Sequence, residues 1–218
     1  MSLSHYLWRY HVTHFVKENT ASFDVDAQKG FTPLCPDELP VSGGDTLAEV
    51  LNQQASLARL RVGSKDAHPA NAIWRADKER PQFTPVDGPN VDIRWNAHCI
   101  VGTKGHELIE GLPHPADYDF FVQKGMEPDM HPYGACYHDL SERQSTGVIE
   151  FLRCNAIETV LVGGLATDYC VKTTALQLRR AGFRVVVNLA ACRGITPETV
   201  RSAIDDMKNQ GIEVVESL

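Results

Sequence analysis

Residues 161–175 read LVGGLATDYCVKTTA, an apolar run that breaks at a glycine pair and reopens with Cys170 near the start of a helical pattern. Residues 159–162 are apolar and β-rich, as a strand buried on both faces should be. From Cys170 onward, Val171, Ala175 and Leu176 follow helical spacing. The break is therefore a strand-to-helix elbow. A thiol at such an elbow sits beside free backbone N–H groups and the positive end of a helix dipole, which predicts a lowered pKa and an available thiolate. Asp168 opposes that effect unless its side chain is used in capping. A buried structural cysteine is the competing reading, because free cysteine is among the most buried residue types.

Working outward, the same alternation recurs. Residues 23–27 (FDVDA) read as a strand that delivers Asp26 at its end, and Thr46 opens a helix over 46–55. A second strand over 58–64 stops at Lys65, Asp66, Ala67, His68 and Pro69, placing a carboxylate and an imidazole just past its end. Residues 69–115 are rich in Pro, Gly and Asn, and a loop that long in a compact domain is usually functional; it carries Trp95 and His98. A third strand over 118–123 delivers Lys124, and a helix over 145–154 precedes the central strand. Beyond the elbow come strands over 183–189 and 212–215, separated by a helix that Thr196 caps, Pro197 begins and Gly211 ends. Alternating strands and helices predict a single α/β domain with a parallel sheet wound on both sides. Asp26, Asp66 with His68, Lys124 and Cys170 then share one sheet edge, where open α/β sheets bind ligands. Together they could supply a nucleophile, a base for its proton and an orienting charge.

Composition narrows the partner. The 218 residues suffice for one well-packed domain, and a net charge of −7 without a Lys or Arg run argues against nucleic acid or an anionic membrane surface. A small-molecule ligand fits better. No apolar stretch approaches a membrane span. The six cysteines form no CxxC pair and no secretory signal is seen, so reduced thiols and a cytoplasmic location are expected. Residues 1–22 mix Tyr6, Trp8, Tyr10 and Phe15 with basic residues without one period. They read as an N-terminal extension of unclear role, set apart from a domain over 23–218. Their aromatic content suggests packing on another surface such as a second subunit, and a homo-oligomer is expected.

With these segments in hand, the chain resembles the nicotinamidase and pyrazinamidase branch of the isochorismatase-like cysteine hydrolases. The marks are VDAQKGF from Val25, KDAHP from Lys65, WNAHC from Trp95, Lys124 with Gly125, and GLATDYCVKTTA from Gly164. The resemblance implies a Rossmann-like, six-stranded parallel sheet flanked by helices and an amidase triad of Asp26, Lys124 and Cys170. It also implies a cis peptide between Leu165 and Ala166, with the N–H groups of Ala166 and Cys170 forming the oxyanion hole. Phe31, Trp95 and Tyr133 would line the pocket, where flat rings stack on a heteroaromatic amide. The implied reaction is hydrolysis of nicotinamide or a similar amide to the acid and ammonia through a cysteine thioester.

The departures from the family pattern concern the metal. Family members hold one divalent ion (Zn, Fe or Mn) by an Asp and three His, the middle His lying in a segment like DWHPANH. Here that segment is DAHPANA, so Asp66, His68 and His98 remain while Ala72 stands at the third imidazole. Three ligands predict weaker binding, unless Asn71 or His131 compensates. Asn96 and Ala97 replace the usual Pro and Asp before His98, and His131 and Pro132 stand where an Asp and Ser often precede the pocket tyrosine. Two other functions fit the same residues: a cysteine amidohydrolase for another small amide or carbamoyl compound with a degraded metal site, and a non-catalytic binding protein on the same fold.

Overall fold

The computed structural model describes residues 15–218, so residues 1–14 of the expected N-terminal extension lie outside the described residues, while Thr20–Ser22 of it belong to the first strand. In chain order the elements are β1 (Thr20–Val25), α1 (Ala48–Ser56), β2 (Leu60–Asp66), β3 (Phe120–Lys124), α2 (Val148–Cys154), β4 (Thr159–Leu165), α3 (Lys172–Arg180), β5 (Arg184–Arg193), α4 (Pro197–Asn209) and β6 (Glu213–Val215). The six strands form one sheet in the order β3-β2-β1-β4-β5-β6, and every neighbouring pair is parallel. The chain builds the sheet outward from β1 in one direction and then from β4 in the other. The loops after β1 and β4 therefore diverge, which opens a crevice at their C-terminal ends.

Two cores hold that crevice in place. On one face Phe23, Val25, Val160, Val162, Val185 and Val187 alternate along their strands and pack on Leu152 of α2, Leu178 of α3 and Met207 of α4. On the other face Leu51 of α1 packs with Leu165 and Ala191. Each such side chain contributes about 1.5–3 kcal/mol when fully buried. The buried Gln54 amide of α1 is paired: its Nε2 donates to Ser22 Oγ at 3.1 Å and to the Leu161 carbonyl at 3.2 Å. Its Oε1 accepts from Asn188 at 3.1 Å. At α4 the Thr196 hydroxyl accepts from the Thr199 N–H at 3.2 Å, with Pro197 in the first turn, as its sequence predicts. No helix among the described residues is long and apolar enough to cross a membrane.

The element bounds differ from the sequence pattern in ways that matter to the site. Strands β2 and β3 run on to Asp66 and Lys124, which are register partners at the sheet edge. Their side chains are thereby brought onto the same face. Strand β4 continues through its glycine pair to Leu165, with a register shift between Val162 and Gly164. Gly164 adopts φ +130°, and a Cβ there would collide with the Val25 carbonyl, so close backbone approach explains the glycine. The elbow therefore falls later than the pattern suggests, at the Leu165–Ala166 peptide, which is cis. Residues Thr167–Val171 form a π-helical turn ahead of α3, in which the Ala166 carbonyl accepts from the N–H of Val171 at 3.1 Å. Cys170 belongs to this turn and not to the α-helix itself.

Candidate active site

The ends of β1, β2, β3 and β4 deliver Asp26, Asp66, Lys124 and Cys170 to one place. Lys124 is wholly buried, and its ammonium lies 3.0 Å from Asp26 Oδ2, donates to Asp66 Oδ1 and donates to the Pro132 carbonyl at 3.1 Å. Its hydrogen bonds go to Asp66, to the Pro132 carbonyl and weakly to the Cys170 sulfur, while Asp26 is held as an ion pair. Cys170 Sγ sits 3.9 Å from the same nitrogen and within 4.8 Å of carboxylate oxygens of both Asp26 and Asp66. Asp26 leaves β1 with φ +45°, a left-handed turn that Asp tolerates better than most side chains, and its Oδ1 accepts from Ser64 Oγ at 2.7 Å.

Burial dominates the electrostatics. It raises the Asp26 carboxyl above its ordinary 3.8, against the pull of Lys124 and the Ser64 hydrogen bond. It likewise pushes the Cys170 thiol well above 9.0, with Lys124 pulling back and Asp26 and Asp66 adding to the rise. For Lys124 burial works against the ammonium, but Asp26, Asp66 and Cys170 outweigh it and hold the group well above 10.5. The lowered thiol pKa expected from the elbow is thus not found, because desolvation and two carboxylates overcome any helix-end effect. The Asp168 carboxylate is turned to other partners, accepting from the Ile195 N–H at 3.2 Å and from Thr199 Oγ at 2.5 Å. A protonated thiol beside a carboxylate of raised pKa can supply a nucleophile and a base for its proton.

Above this cluster opens a cleft lined by Phe31, Trp95, Tyr133, Ala166 and Cys170, and also by Tyr169, His131 and Ile195. The Trp95 ring meets Tyr169 edge-on at 5.0 Å and Tyr133 at 6.2 Å. Trp95 Nε1 donates to the Tyr133 hydroxyl at 3.2 Å, and that hydroxyl donates to Asp92 at 2.8 Å. The walls are therefore flat, apolar and held in orientation, a shape suited to a small heteroaromatic ring. Tyr169 carries no signal beyond its place in the elbow segment, and Ile195 carries none in the sequence.

Asp66, His68 and His98 also meet. His68 Nδ1 lies 2.9 Å from the Gly125 carbonyl and His98 Nδ1 lies 2.7 Å from the Asn96 carbonyl. A carbonyl only accepts, so each Nδ1 carries a proton, and a neutral ring so oriented presents its lone pair at Nε2. These Nε2 atoms stand 3.3 Å and 3.7 Å from Asp66 Oδ2. Gly125, at φ +68°, is required here because a Cβ would run into the His68 ring. Among the described residues His68 Nε2 and both ring nitrogens of His131 lack a hydrogen-bond partner. One ligand atom each from His68, His98 and His131 lies within 4.8 Å of the others. Bare imidazole nitrogens beside a buried carboxylate fit a divalent transition metal. Asn71, the other residue that could compensate for Ala72, is exposed.

Comparison with known proteins places this geometry. The isochorismatase domain model matches residues 20–217. The nicotinamidase of Acinetobacter baylyi is 30% identical over 91% of this chain and 93% of its own length. That of Escherichia coli is 33% identical over 82% and 85%. Among solved structures, the Acinetobacter baumanii nicotinamidase and pyrazinamidase superposes with a TM-score of 0.82 at 32% identity, covering 91% of this chain and 96% of that one. The pyrazinamidase of Pyrococcus horikoshii, in complex with zinc, gives 0.72 at 29% identity over 90% and 98%.

Proposed function

The chain belongs to the isochorismatase domain family, and on that footing we propose that it hydrolyses nicotinamide to nicotinate and ammonia through a thioester on Cys170. The observation that carries the reading is the convergence of Asp26, Lys124 and Cys170 beneath an aromatic cleft.

In this reading the pyridine ring lies among Phe31, Trp95 and Tyr133, and its carboxamide meets Cys170. Asp26 takes the thiol proton as Sγ adds to the carboxamide carbon, a general-base contribution of about 10²–10⁴-fold. The developing oxyanion receives the N–H groups of Ala166 and Cys170, each such donor being typically worth about 10²–10³-fold. Asp26 then gives the proton to the departing nitrogen, and ammonia leaves as the C–N bond breaks. Water enters, Asp26 takes its proton, and the hydroxyl displaces Sγ to release nicotinate and restore the thiol. Lys124 holds Asp26 and Asp66 in place and keeps the charge of this buried cluster near balance. The raised pKa of Asp26 suits both transfers, because a carboxyl near its ordinary value would return the proton poorly.

Asp66, His68 and His98 would hold a divalent metal at the cleft wall, and such an ion, when bound, offers a coordination position to a ring nitrogen. All six cysteines are free, which suits the reducing cytoplasm in which we place the enzyme. Ammonia release from nicotinamide, pyrazinamide and non-aromatic amides tests the assignment. Cleavage of the heteroaromatic amides is expected, and cleavage confined to non-aromatic or carbamoyl compounds would overturn it.

A further inference from the structure

His131 stands on the segment after β3 and is one of the two residues, with Asn71, that the sequence offers in place of the imidazole missing at Ala72. Its position is fixed from both sides: its own N–H donates to the Asn90 carbonyl at 2.8 Å, and the carbonyl of the next residue, Pro132, accepts from Lys124. The side chain is 4% exposed. Its ring lies nearly parallel to that of His68 at 5.2 Å and meets His98 edge-on at 5.6 Å. Trp74, edge-on at 4.5 Å, closes the remaining side. Both ring nitrogens are buried without a hydrogen-bond partner among the described residues, an arrangement that a polar ring seldom adopts unless something else is meant to meet it.

Charge and chemistry point to what that is. With both carboxylates ionised, Asp26, Asp66 and Lys124 leave one net negative charge in a buried site beneath the cleft, and Nε2 of His68 and of His98 face the same Asp66 oxygen. At position 72, by contrast, the Ala methyl is packed in an apolar cluster with Trp74, Val91 and Trp95. We propose that His131 supplies the imidazole that position 72 lacks, completing with Asp66, His68 and His98 a four-ligand site for a divalent transition metal. The inference rests on the reading that Asp66, His68 and His98 hold a metal. Ligands on one ion with bonds of ~2.1 Å stand about 3–3.5 Å apart in neighbouring positions, so imidazole ligand atoms that already lie within 4.8 Å of one another would have to draw closer around the ion. Three imidazoles and one carboxylate select zinc, iron(II), manganese or cobalt over calcium and magnesium.

The test is cobalt(II) binding to the full chain after removal of bound metal. His131→Ala and His131→Phe should each weaken cobalt affinity by at least about tenfold, since loss of even a supporting group outside the ligand shell typically costs 10–100-fold. Asn71→Ala should leave it unchanged. His131→Phe keeps a buried ring, and both variants are checked for a native melting transition. Hyperfine-shifted ring N–H resonances of wild-type cobalt protein provide a count that needs no variant: three ligated imidazoles are expected, from His68, His98 and His131. Two ligated imidazoles, variant affinities within twofold of wild type, or no cobalt binding at all would overturn the proposal. Nicotinamide hydrolysis is scored separately. A chain that ligates cobalt through three imidazoles yet leaves nicotinamide intact keeps this inference and loses the functional one, and the reverse result does the opposite.

Discussion

Lys124→Met removes one charge from the centre of the site while keeping most of the side chain's length, so it isolates what the ammonium does. Lys124 is fully buried between Asp26 and Asp66, and its loss leaves two buried carboxylates facing each other without a cation. Breaking a buried ion pair from one side costs about 3–5 kcal/mol. For a chain of this length that corresponds to a fall in Tm of about 6–20 °C. The pH dependence has a definite sign. In the wild type Lys124 is held above 10.5, so its contribution is fully present below that value and is lost only as pH rises through the higher folded value. Asp26 is already raised above 3.8, and without Lys124 it rises further, so the folded variant takes up a proton that the unfolded chain does not. The deficit should therefore be largest at about pH 8 and shrink toward about pH 5. Urea and thermal unfolding with a chelator present, so that no bound cation replaces the ammonium, measure it. A loss under about 1 kcal/mol, the range of an exposed pair, or one equal at both pH values would refute the reasoning.

Cys170→Ala should abolish ammonia release while leaving Tm nearly unchanged, because the side chains are similar in size; activity surviving at a substantial fraction of wild type removes the nucleophile. Asp26→Asn should lower kcat by about 10²–10⁴-fold and erase the acid limb of the pH–rate profile, since only the carboxylate accepts the thiol proton. In the wild type that limb should lie above the ordinary carboxylate value of 3.8. Ser64→Ala takes away a hydrogen bond that favours the Asp26 carboxylate, so the acid limb should move to higher pH with the plateau retained. A limb that stays put or moves down would disconnect Ser64 from the base.

The architecture was legible because the strands show as apolar runs, and the first four each lead to a reactive residue, Asp26, Asp66, Lys124 and Cys170. Thr196, Pro197 and Gly211 marked α4 for a local reason, a cap and a stop, and such signals survive folding unchanged. The later elbow was not legible. A glycine pair ordinarily ends a strand, but here Gly164 lies close against Val25 of β1 and β5 keeps β4 paired as far as Leu165. The thiol pKa was misjudged for a related reason: dipole and N–H groups can be read from local sequence, whereas desolvation and the carboxylates of Asp26 and Asp66 arrive from other strands. Tyr169 and His131 enter the cleft through tertiary packing, and neither follows a spacing rule. His131 offered one hint, its place two residues before the pocket tyrosine, but only the fold puts its ring against His68.

The most direct test is intact-mass analysis of enzyme mixed with nicotinamide and quenched in acid within a turnover. The expected result is a transient mass increase equal to one nicotinoyl group, mapped by digestion to Cys170, absent in Cys170→Ala and prolonged when Asp26 is changed to Asn. Nicotinate and ammonia formed at full rate with no acylated enzyme at any quench time, or an adduct that maps to another cysteine, would contradict it.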